Sequence, residues 1–314
     1  MSKFYKKYPK FDWKFYISCY ADLRNAGITT EQQAIHHYAT NGYNEGRRTH
    51  SIIKPSSIVQ QLPISQILGH VKQGYVSNGL QSLNSRFMKH FDLQPLHSFD
   101  EPCVFFGVYD DNDLTILDTH KGLRYIIWGG EDANPANGQA NATLREVAVL
   151  HNVVHLAISK CLYHRLSEQK FSPIYVDFNL VDKSLFYPGL KSELGRSIYI
   201  FNGQTPGREH IYGKSIYEAV MKRLPQYHYI LSNQTCVSYE SMPAIYKQCF
   251  IVLRLTSRDG NANSVQECEA MGIPVVHNQS DYGLKWETVE DVIQYIVDKG
   301  DPSSLQSTPL VIRA

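Results

Sequence analysis

Two carboxylates bracket a loop of small and polar residues near the end of the chain. Residues 255–276 read LTSRDGNANSVQECEAMGIPVV, and Asp259 and Glu267 enclose a segment rich in Gly, Asn, Ala and Ser. A loop of this kind that leads into a helix offers free backbone N–H groups and a partial positive charge, which suit a phosphate. Carboxylates repel a phosphate, so the two acids must serve another ligand group.

Hydroxyl groups on either side of a bound pyrophosphate would remove this conflict. A nucleoside diphosphate sugar has that layout, with a ribose diol, a central pyrophosphate and the hydroxyls of the donor sugar. The alternative stays open that Glu267 stabilises a helix dipole and that Asp259 caps a loop. On the ligand-binding interpretation, the donor-binding residues of this segment are Gly260, Asn261, Ala262, Asn263, Ser264 and Glu267.

A buried strand and a helix must position this loop. Residues 249–255, CFIVLRL, form a continuous apolar run, which is typical of a central strand covered on both faces. Residues 264–271, SVQECEAM, follow as a helix that Asn263 or Ser264 is expected to cap. Ligands of open α/β sheets bind at the carboxyl ends of the strands, and Gly260 and Ala262 would let a ligand approach the backbone.

The rest of the chain alternates short apolar runs with amphipathic stretches. Predicted strands are CVFFGVY, RYIIWGG, VVHLAIS and IYVDFNLV in the first half and SIYIFNG, YHYILS, CFIVLRL and IPVVHN in the second. Predicted helices cover TLREVAVLHN, KCLYHRLSEQK and residues 212–224, 239–247, 264–271 and 287–298. This alternation indicates parallel sheets with helical crossovers, so we predict an α/β protein with two Rossmann-like domains facing a cleft.

The first fifty residues differ from the rest because they contain no strand-like run. Thr30 can cap a helix over EQQAIHHYAT, and Gly42 lies where that helix would end. A segment with clustered Pro and Ser follows and is typical of a linker. We predict a small helical module at residues 1–55, a first Rossmann-like domain at 56–190 and a second at 191–314.

Composition excludes several classes of function. The net charge is +1 with both signs dispersed, which argues against a nucleic-acid surface. Neither a Gly-x-Gly-x-x-Gly fingerprint nor a Gly-x-x-x-x-Gly-Lys motif is present, which disfavours NAD enzymes and P-loop NTPases. The His, Cys and Asp residues show no metal-ligand spacing, so we predict no metal site.

The cysteines and the hydropathy predict a cytoplasmic location. None of the six cysteines forms a Cys-x-x-Cys pair, and Cys103, Cys161, Cys249 and Cys268 lie in or beside apolar runs as expected for buried free thiols. No apolar run approaches the roughly 18 residues that span a bilayer, and no signal peptide is recognisable. We therefore expect no transmembrane segment.

The segment around the two acids resembles the second domain of retaining GT-B glycosyltransferases of the glycogen-synthase-like group. Their hallmark is an acid, seven residues and then Glu, followed by Ala-Met and Gly-x-Pro-Val-Val; Asp259, Glu267 and EAMGIPVV match it, except that the family usually has Glu first. FNLVDKSLFYP is similar to the interdomain segment of this family. The N-terminal module resembles one found beside glycosyltransferase domains, and the combination resembles glycosyltransferases of large DNA viruses.

The resemblance implies further site residues. YIFNGQTPGREHIYGKSIYEAV occupies the place of the family's Gly-Arg…Lys-Gly loop, which makes Gly203 a donor-binding residue and Arg208 and Lys214 the cations that offset pyrophosphate charge. Asp259 would contact the donor sugar and Glu267 the ribose. No cofactor is implied other than the UDP- or GDP-linked sugar as co-substrate, and no metal.

Four other polar residues lie in or beside predicted strands near the cleft or in the core. Asp132 follows the strand RYIIWGG and is a candidate catalytic acid facing the cleft, or a turn residue. His277 ends a strand near the cleft and is a candidate sugar contact. Arg254 lies inside a predicted strand and is expected to pair with a buried acid, and His155 is expected to be a core residue.

These observations lead to one functional hypothesis and two alternatives. We predict a retaining, metal-independent glycosyltransferase that moves a sugar from a nucleotide sugar to a glycan or a glycoprotein. The first alternative is a protein that binds nucleotide sugars or glycans without catalysis. The second is a UDP-sugar epimerase of the same fold. The sequence gives no indication of the oligomeric state.

Overall fold

The computed structural model describes most of the chain. The described residues are 2–8, 11–20, 23, 26–43, 59–135, 137–189, 195–203, 207–235, 237–256 and 259–300. Arg258 and the predicted domain boundaries at residues 55 and 190 lie outside these ranges.

The described residues of the N-terminal module form the short helices α1 (Ser2–Lys7), α2 (Trp13–Cys19) and α3 (Glu31–His37), followed by a π-helical turn at Tyr38–Gly42. Thr30 caps α3 as predicted, because its hydroxyl accepts from the Gln33 backbone N–H while the Gln33 side chain accepts from the Thr30 N–H. The Tyr16 hydroxyl and Nδ1 of His37 lie 2.9 Å apart, so His37 ties α3 to α2.

The first α/β domain is built on a sheet in which the structure describes seven parallel strands. The strands are β1 (Leu62–Pro63), β2 (Gln73–Val76), β3 (Gln94–Pro95), β4 (Cys103–Phe106), β5 (Arg124–Trp128), β6 (Val153–Ala157) and β7 (Ile174–Asp177), in the spatial order β1-β7-β6-β5-β4-β2-β3. The helices are α4 (Ile64–Leu68), α5 (Asn84–His90), α6 (Asp111–Thr119), α7 (Gly138–Val147) and α8 (Lys160–Glu168), with 3-10 turns at Asn78–Leu83 and Glu131–Ala133.

The second α/β domain has a sheet of four parallel strands among the described residues. They are β8 (Ser197–Ile200), β9 (His228–Leu231), β10 (Cys249–Leu253) and β11 (Val275–Val276), in the order β11-β10-β8-β9. The helices are α9 (Lys214–Arg223), α10 (Met242–Tyr246), α11 (Asn263–Met271) and α12 (Val289–Lys299). Shorter 3-10 turns lie at Glu209–Tyr212, Ser232–Gln234 and Tyr239–Ser241.

These two parallel sheets with helical crossovers confirm the predicted α/β class with two Rossmann-like domains. All eight predicted strands form, because strands buried on both faces appear in the sequence as continuous apolar runs. The segment 62–95 holds three further strands and two helices that the sequence analysis did not identify. Within the described ranges, no helix has both the length and the apolar character needed to cross a bilayer.

The module packs against the second domain. Its buried side chains Phe11, Tyr16 and Tyr38 belong to the same apolar cluster as Ile198, Ile216 and Ile296 of the second sheet and its helices α9 and α12. A separate cluster, with Tyr246 and Val265 in it, covers the opposite side of this sheet. The first domain has its own core around β4, β5 and β6.

Candidate functional site

The site predicted from the sequence forms where β10 ends and α11 begins. All five residues of β10 are buried, which fixes the position at which the following loop leaves the sheet. Helix α11 starts at Asn263, and Ala262 occupies the N-cap position without a side-chain hydrogen bond. The expectation that Asn263 or Ser264 caps the helix is therefore wrong, because both lie inside the first turn. An alanine cap has no acceptor, so no cap side chain occupies the N–H groups of that turn.

A buried ion pair stands directly before this helix. Nε of Arg254 lies 2.6 Å from Oδ2 of Asp259, and the two side chains are only 12% and 14% exposed. The Gly260 N–H donates to Oδ1 of Asp259 at 3.1 Å, and Nη1 of Arg254 donates to the Ser264 hydroxyl at 3.1 Å. The prediction that Arg254 pairs with a buried acid is confirmed. One guanidinium thus joins the strand end, the loop and the helix start.

The charge of Arg254 keeps Asp259 ionised in this buried place. Burial by itself would raise the pKa of Asp259, but the attraction of Arg254 outweighs it, and the pKa lies below its ordinary value. The guanidinium carbon also lies 3.9 Å from the centroid of the Phe201 ring, a cation–π contact that holds Arg254 in this orientation. The pair is electrically neutral as a unit.

Glu267 lies one turn into α11, and its side chain is almost fully buried, with 5% of its surface exposed. The Tyr246 hydroxyl donates to one of its carboxylate oxygens at 2.9 Å. Burial raises the pKa of Glu267, while this hydrogen bond and the charges of Arg86 and Arg254 act in the opposite direction. The carboxylate retains acceptor capacity beyond the single bond from Tyr246.

His277 lies beside the ion pair and is completely buried. Its Nδ1 is 2.9 Å from the backbone oxygen of Arg254. A carbonyl can only accept, so Nδ1 carries the hydrogen and Nε2 of the neutral ring is an acceptor, and Nε2 has no partner among the described residues. Burial lowers the pKa of His277 to about 4, against the opposing charge of Asp259.

Loops from the two domains touch at this site. A Cβ atom on Gly130 would lie 2.4 Å from the Gly260 nitrogen, and one on Gly260 would lie 2.3 Å from the Gly129 oxygen. The sequence analysis expected Gly260 to admit a ligand, but it is the Gly129 carbonyl that approaches there. The carboxyl ends of the two sheets therefore face each other at the β5 and β10 loops.

Asp132 stabilises the first-domain loop that makes this contact. Its carboxylate accepts from the backbone N–H groups of Val108 at 3.2 Å, Gly129 at 3.1 Å and Gly130 at 2.8 Å. Burial raises the pKa of Asp132 to about 6, although these N–H groups favour the ionised form. The geometry places Asp132 under the loop that faces Asp259, and its predicted catalytic role stays a prediction.

Two further loop residues serve the fold. Nδ2 of Asn261 donates to the Phe178 oxygen at 3.2 Å, which is a hydrogen bond between the two domains. The backbone oxygen of Asn261 accepts a hydrogen bond from Nε2 of Gln266 at 2.9 Å. The Ala262 side chain is 6% exposed and belongs to the core of the second domain. Asn263 is partly exposed at the start of α11.

The residues assigned by resemblance lie on the segment before α9. Gly203 has φ +82° and packs against the Tyr212 ring. Arg208 is exposed, and Lys214 opens α9 in an exposed ion pair with Glu218 at 3.9 Å. A Cβ on Gly213 would lie 2.6 Å from the Leu255 oxygen, so the start of α9 contacts the chain just after β10. The structure thus brings Gly213, the neighbour of Lys214, against the chain after β10, and the donor-binding roles of Lys214 and Arg208 stay predictions.

The sequence analysis did not single out Arg86, which reaches this site from the first domain. Its guanidinium carbon lies 3.8 Å from the centroid of the Tyr239 ring in the second domain. The sequence analysis identified neither the helix that carries Arg86 nor the strand before it, so nothing distinguished Arg86 from a solvated arginine. Among the described residues, no group of three or more His, Cys, Asp or Glu side chains is placed to bind a metal ion.

The sequence matches no protein-family model and no curated protein. Several solved structures are similar in fold, among them the following three. TarM has a TM-score of 0.45 and 11% identity, over 64% of this chain and 48% of its own. The pneumococcal O-GlcNAc transferase GtfA in complex with UDP and GlcNAc has a TM-score of 0.43 and 12% identity, over 70% of this chain and 52% of its own.

The sucrose-phosphate synthase of Thermosynechococcus elongatus has a TM-score of 0.40 and 12% identity, over 73% of this chain and 64% of its own. Identities this low transfer no residue roles. The chain spans about half the length of the first two of these proteins.

Proposed function

We propose that this protein is a GT-B glycosyltransferase that uses a UDP- or GDP-linked sugar as donor. The observation that carries the proposal is the placement of Asp259 and Glu267 around a helix start whose cap side chain is an alanine. This helix start lies at the carboxyl edge of a parallel sheet and faces the same edge of a second one, which is where α/β proteins bind ligands.

The ion pair explains how an acid can stand beside a bound pyrophosphate. Arg254 neutralises Asp259, so the phosphate meets a neutral unit instead of a free carboxylate. The N–H groups of the first turn of α11 then attract the phosphate oxygens. Lys214 and Arg208 would supply further positive charge from the segment before α9.

Glu267 has the properties of a ribose-binding group. Its carboxylate is held in place by Tyr246, lies one turn beyond the phosphate-binding N–H groups, and can accept from a diol. Asp259 would contact the donor sugar on the other side. Asp132 would act by holding the loop that meets Gly260, since three backbone N–H groups already occupy its carboxylate.

In the proposed reaction, the bond between the anomeric carbon and the diphosphate breaks, and a bond to an acceptor hydroxyl forms. The diphosphate leaves with the bonding electrons and takes up the proton that the acceptor hydroxyl loses. Catalysis would rest on positioning the two substrates and on stabilising the negative charge of the leaving group. We propose retention at the anomeric carbon, no metal requirement and a glycan or glycoprotein acceptor. The likeness to viral enzymes and the cytoplasmic location stay predictions.

One observation favours a second function, the binding of nucleotide sugars without turnover. Both oxygens of Asp259 already have partners in Arg254 and Gly260, so the sugar contact would have to share them. The two functions differ in whether the sugar–phosphate bond breaks.

A ligand screen followed by a turnover assay tests the proposal. Binding to the folded state raises the unfolding temperature, so UDP- and GDP-sugars can be screened by thermal shift. The donor that binds is then incubated with the wild type and with Asp259→Asn, and released nucleotide diphosphate is measured. Release by the wild type, and its loss in a variant that still shows a folded-state thermal transition, support a transferase. Binding without release, with or without glycan acceptors, supports the second function, and no binding of any nucleotide sugar contradicts both.

A further inference from the structure

Arg86 extends from the first domain onto the second. It lies on α5, which follows the carboxyl end of β2, and its guanidinium stacks at 3.8 Å on the ring of Tyr239. That ring in turn packs against Phe186, with 5.0 Å between centroids. The Tyr239 ring therefore covers one face of the guanidinium, and the N–H donors lie along its edge in an arrangement that suits a planar acceptor.

The donors of Arg86 lack acceptors. Within the described part of the chain, no carboxylate lies within 4 Å of Arg86, and its Nη1 atom is buried without a hydrogen-bond partner. A buried charged donor without a partner is unfavourable, because it has lost its hydration and gained nothing in return. Such an atom is satisfied when a ligand brings an acceptor.

The anion-binding side of the site is close to Arg86. Tyr239 and Phe186 belong to the cluster that contains Tyr246, whose hydroxyl binds Glu267. The positive charge of Arg86 lies near enough to Glu267 to lower its pKa, against the larger effect of burial, and the two side chains form no ion pair. The next group along a nucleotide from the ribose is a phosphate.

We propose that Arg86 binds the diphosphate of the donor nucleotide from the first domain, an inference that rests on the proposed function. A planar guanidinium can donate two parallel hydrogen bonds to a phosphate. The nucleotide would then bind to α11 of the second domain and to α5 of the first at the same time. Donor binding would thereby fix the two domains relative to each other.

Calorimetric titration with UDP and GDP tests this role. Arg86→Ala is expected to weaken whichever nucleotide binds the wild type by about 10- to 100-fold, the equivalent of a lost hydrogen bond to a charged group. Arg86→Lys keeps the charge and loses the fork, so a smaller loss is expected. Lys89→Ala is the matched control, since Lys89 is exposed in the last turn of the same helix and its loss should change affinity by about fivefold at most.

Inorganic pyrophosphate serves as the second probe. Its own calorimetric affinity should fall from the wild type to Arg86→Lys by about the same factor as that of the nucleotide, because both ligands share the diphosphate. The lysine variant guards against a folding defect in the alanine variant. Equal nucleotide affinity in the wild type and both Arg86 variants would overturn this inference and leave the proposed function standing. A wild type that binds neither UDP nor GDP would overturn the proposed function and this inference together.

Discussion

Arg254 and Asp259 form a buried ion pair, with Nε and Oδ2 2.6 Å apart, at the point where β10 passes into the loop before α11. The pair has two roles. It anchors the loop to the strand, and it keeps a carboxylate at the edge of an anion site without repelling the anion. The following predictions begin with this pair.

Removal of one partner should destabilise the protein strongly. Asp259→Asn leaves the Arg254 charge buried and unpaired, so we expect a loss of about 3 kcal/mol in the free energy of unfolding. The double variant Arg254→Gln/Asp259→Asn should lose less than the sum of the two single variants by roughly 1–3 kcal/mol. Urea unfolding measures all three.

The exposed pair of Arg223 and Glu290 gives the control for this experiment. Its atoms are 2.8 Å apart, but the side chains are 50% and 58% exposed. Arg223→Gln should therefore change stability by no more than about 1 kcal/mol. Additive effects at Arg254 and Asp259 would show that the two side chains are not coupled.

Glu267 should contribute to nucleotide affinity, and Glu269 on the same helix should not. Glu267→Gln keeps an acceptor for Tyr246 but removes the charge, and we expect nucleotide affinity to fall by about 1.5–3 kcal/mol. Glu269→Gln changes an exposed acid two residues along α11 and should leave affinity unchanged. Calorimetry with UDP and GDP measures these affinities. Wild-type affinity in both variants would show that Glu267 does not bind the nucleotide.

Gly130 should tolerate no side chain. Its φ is +130°, and a Cβ would lie 2.4 Å from the backbone nitrogen of Gly260. Gly130→Ala should lower stability by at least about 2 kcal/mol through strain and the displacement of one domain from the other. Gly138→Ala is the control, because nothing lies within 4 Å of its Cβ position. Similar thermal stability of both variants would show that the two loops separate easily.

Strands that are buried on both faces could be predicted from the sequence, whereas β1, β2 and β3 could not. β4, β5 and β10 are buried along their whole length and appear as apolar runs. β2 is also largely buried, but it contains Gln73. This side chain is fully buried and forms hydrogen bonds with the backbone of residues 97, 98 and 101. Its polar side chain is satisfied by tertiary contacts, which local patterning does not reveal.

The candidate site was predictable in part. The spacing of Asp259 and Glu267 and the pairing of Arg254 with an acid could be inferred, because strand ends and helix starts follow from local sequence. The role of Gly130 and the stacking of Arg86 on Tyr239 depend on how the domains meet. Residues far apart in the sequence leave no periodic signal of such contacts.

His277 should make the protein sensitive to acid. A histidine in the unfolded chain binds a proton near pH 6.5, whereas the folded His277 does so only at about pH 4. Between these values the unfolded state binds more protons, so stability falls as the pH falls, by up to about 1.4 kcal/mol per pH unit. Asp132, with a pKa of about 6, contributes in the opposite direction.

Comparison of the wild type with His277→Asn isolates the contribution of His277. Asn retains a donor for the Arg254 carbonyl and does not titrate. The difference in unfolding free energy between the two proteins should shift in favour of the variant as the pH is lowered from 7 to 4.5. A difference independent of pH would show that His277 titrates normally in the folded protein.

Nucleotide binding should not need a divalent ion. If N–H groups and side-chain cations hold the diphosphate, then UDP or GDP should bind equally well in excess EDTA and in manganese. Calorimetry in the two buffers tests this. Binding that disappears in EDTA and returns with manganese would contradict the proposed metal independence.

The shared apolar cluster of the N-terminal module and the second domain has a consequence for biosynthesis. The module is translated before its partners, which begin at β8, and 154 residues lie between Tyr43 and Ile198. At roughly 5–20 residues per second, the ribosome needs about 10–30 s to make that stretch. During this time Phe11, Tyr16 and Tyr38 lack the surface that later covers them. The nascent chain therefore carries an unpaired aromatic surface, on which a chaperone could act, while the first domain folds.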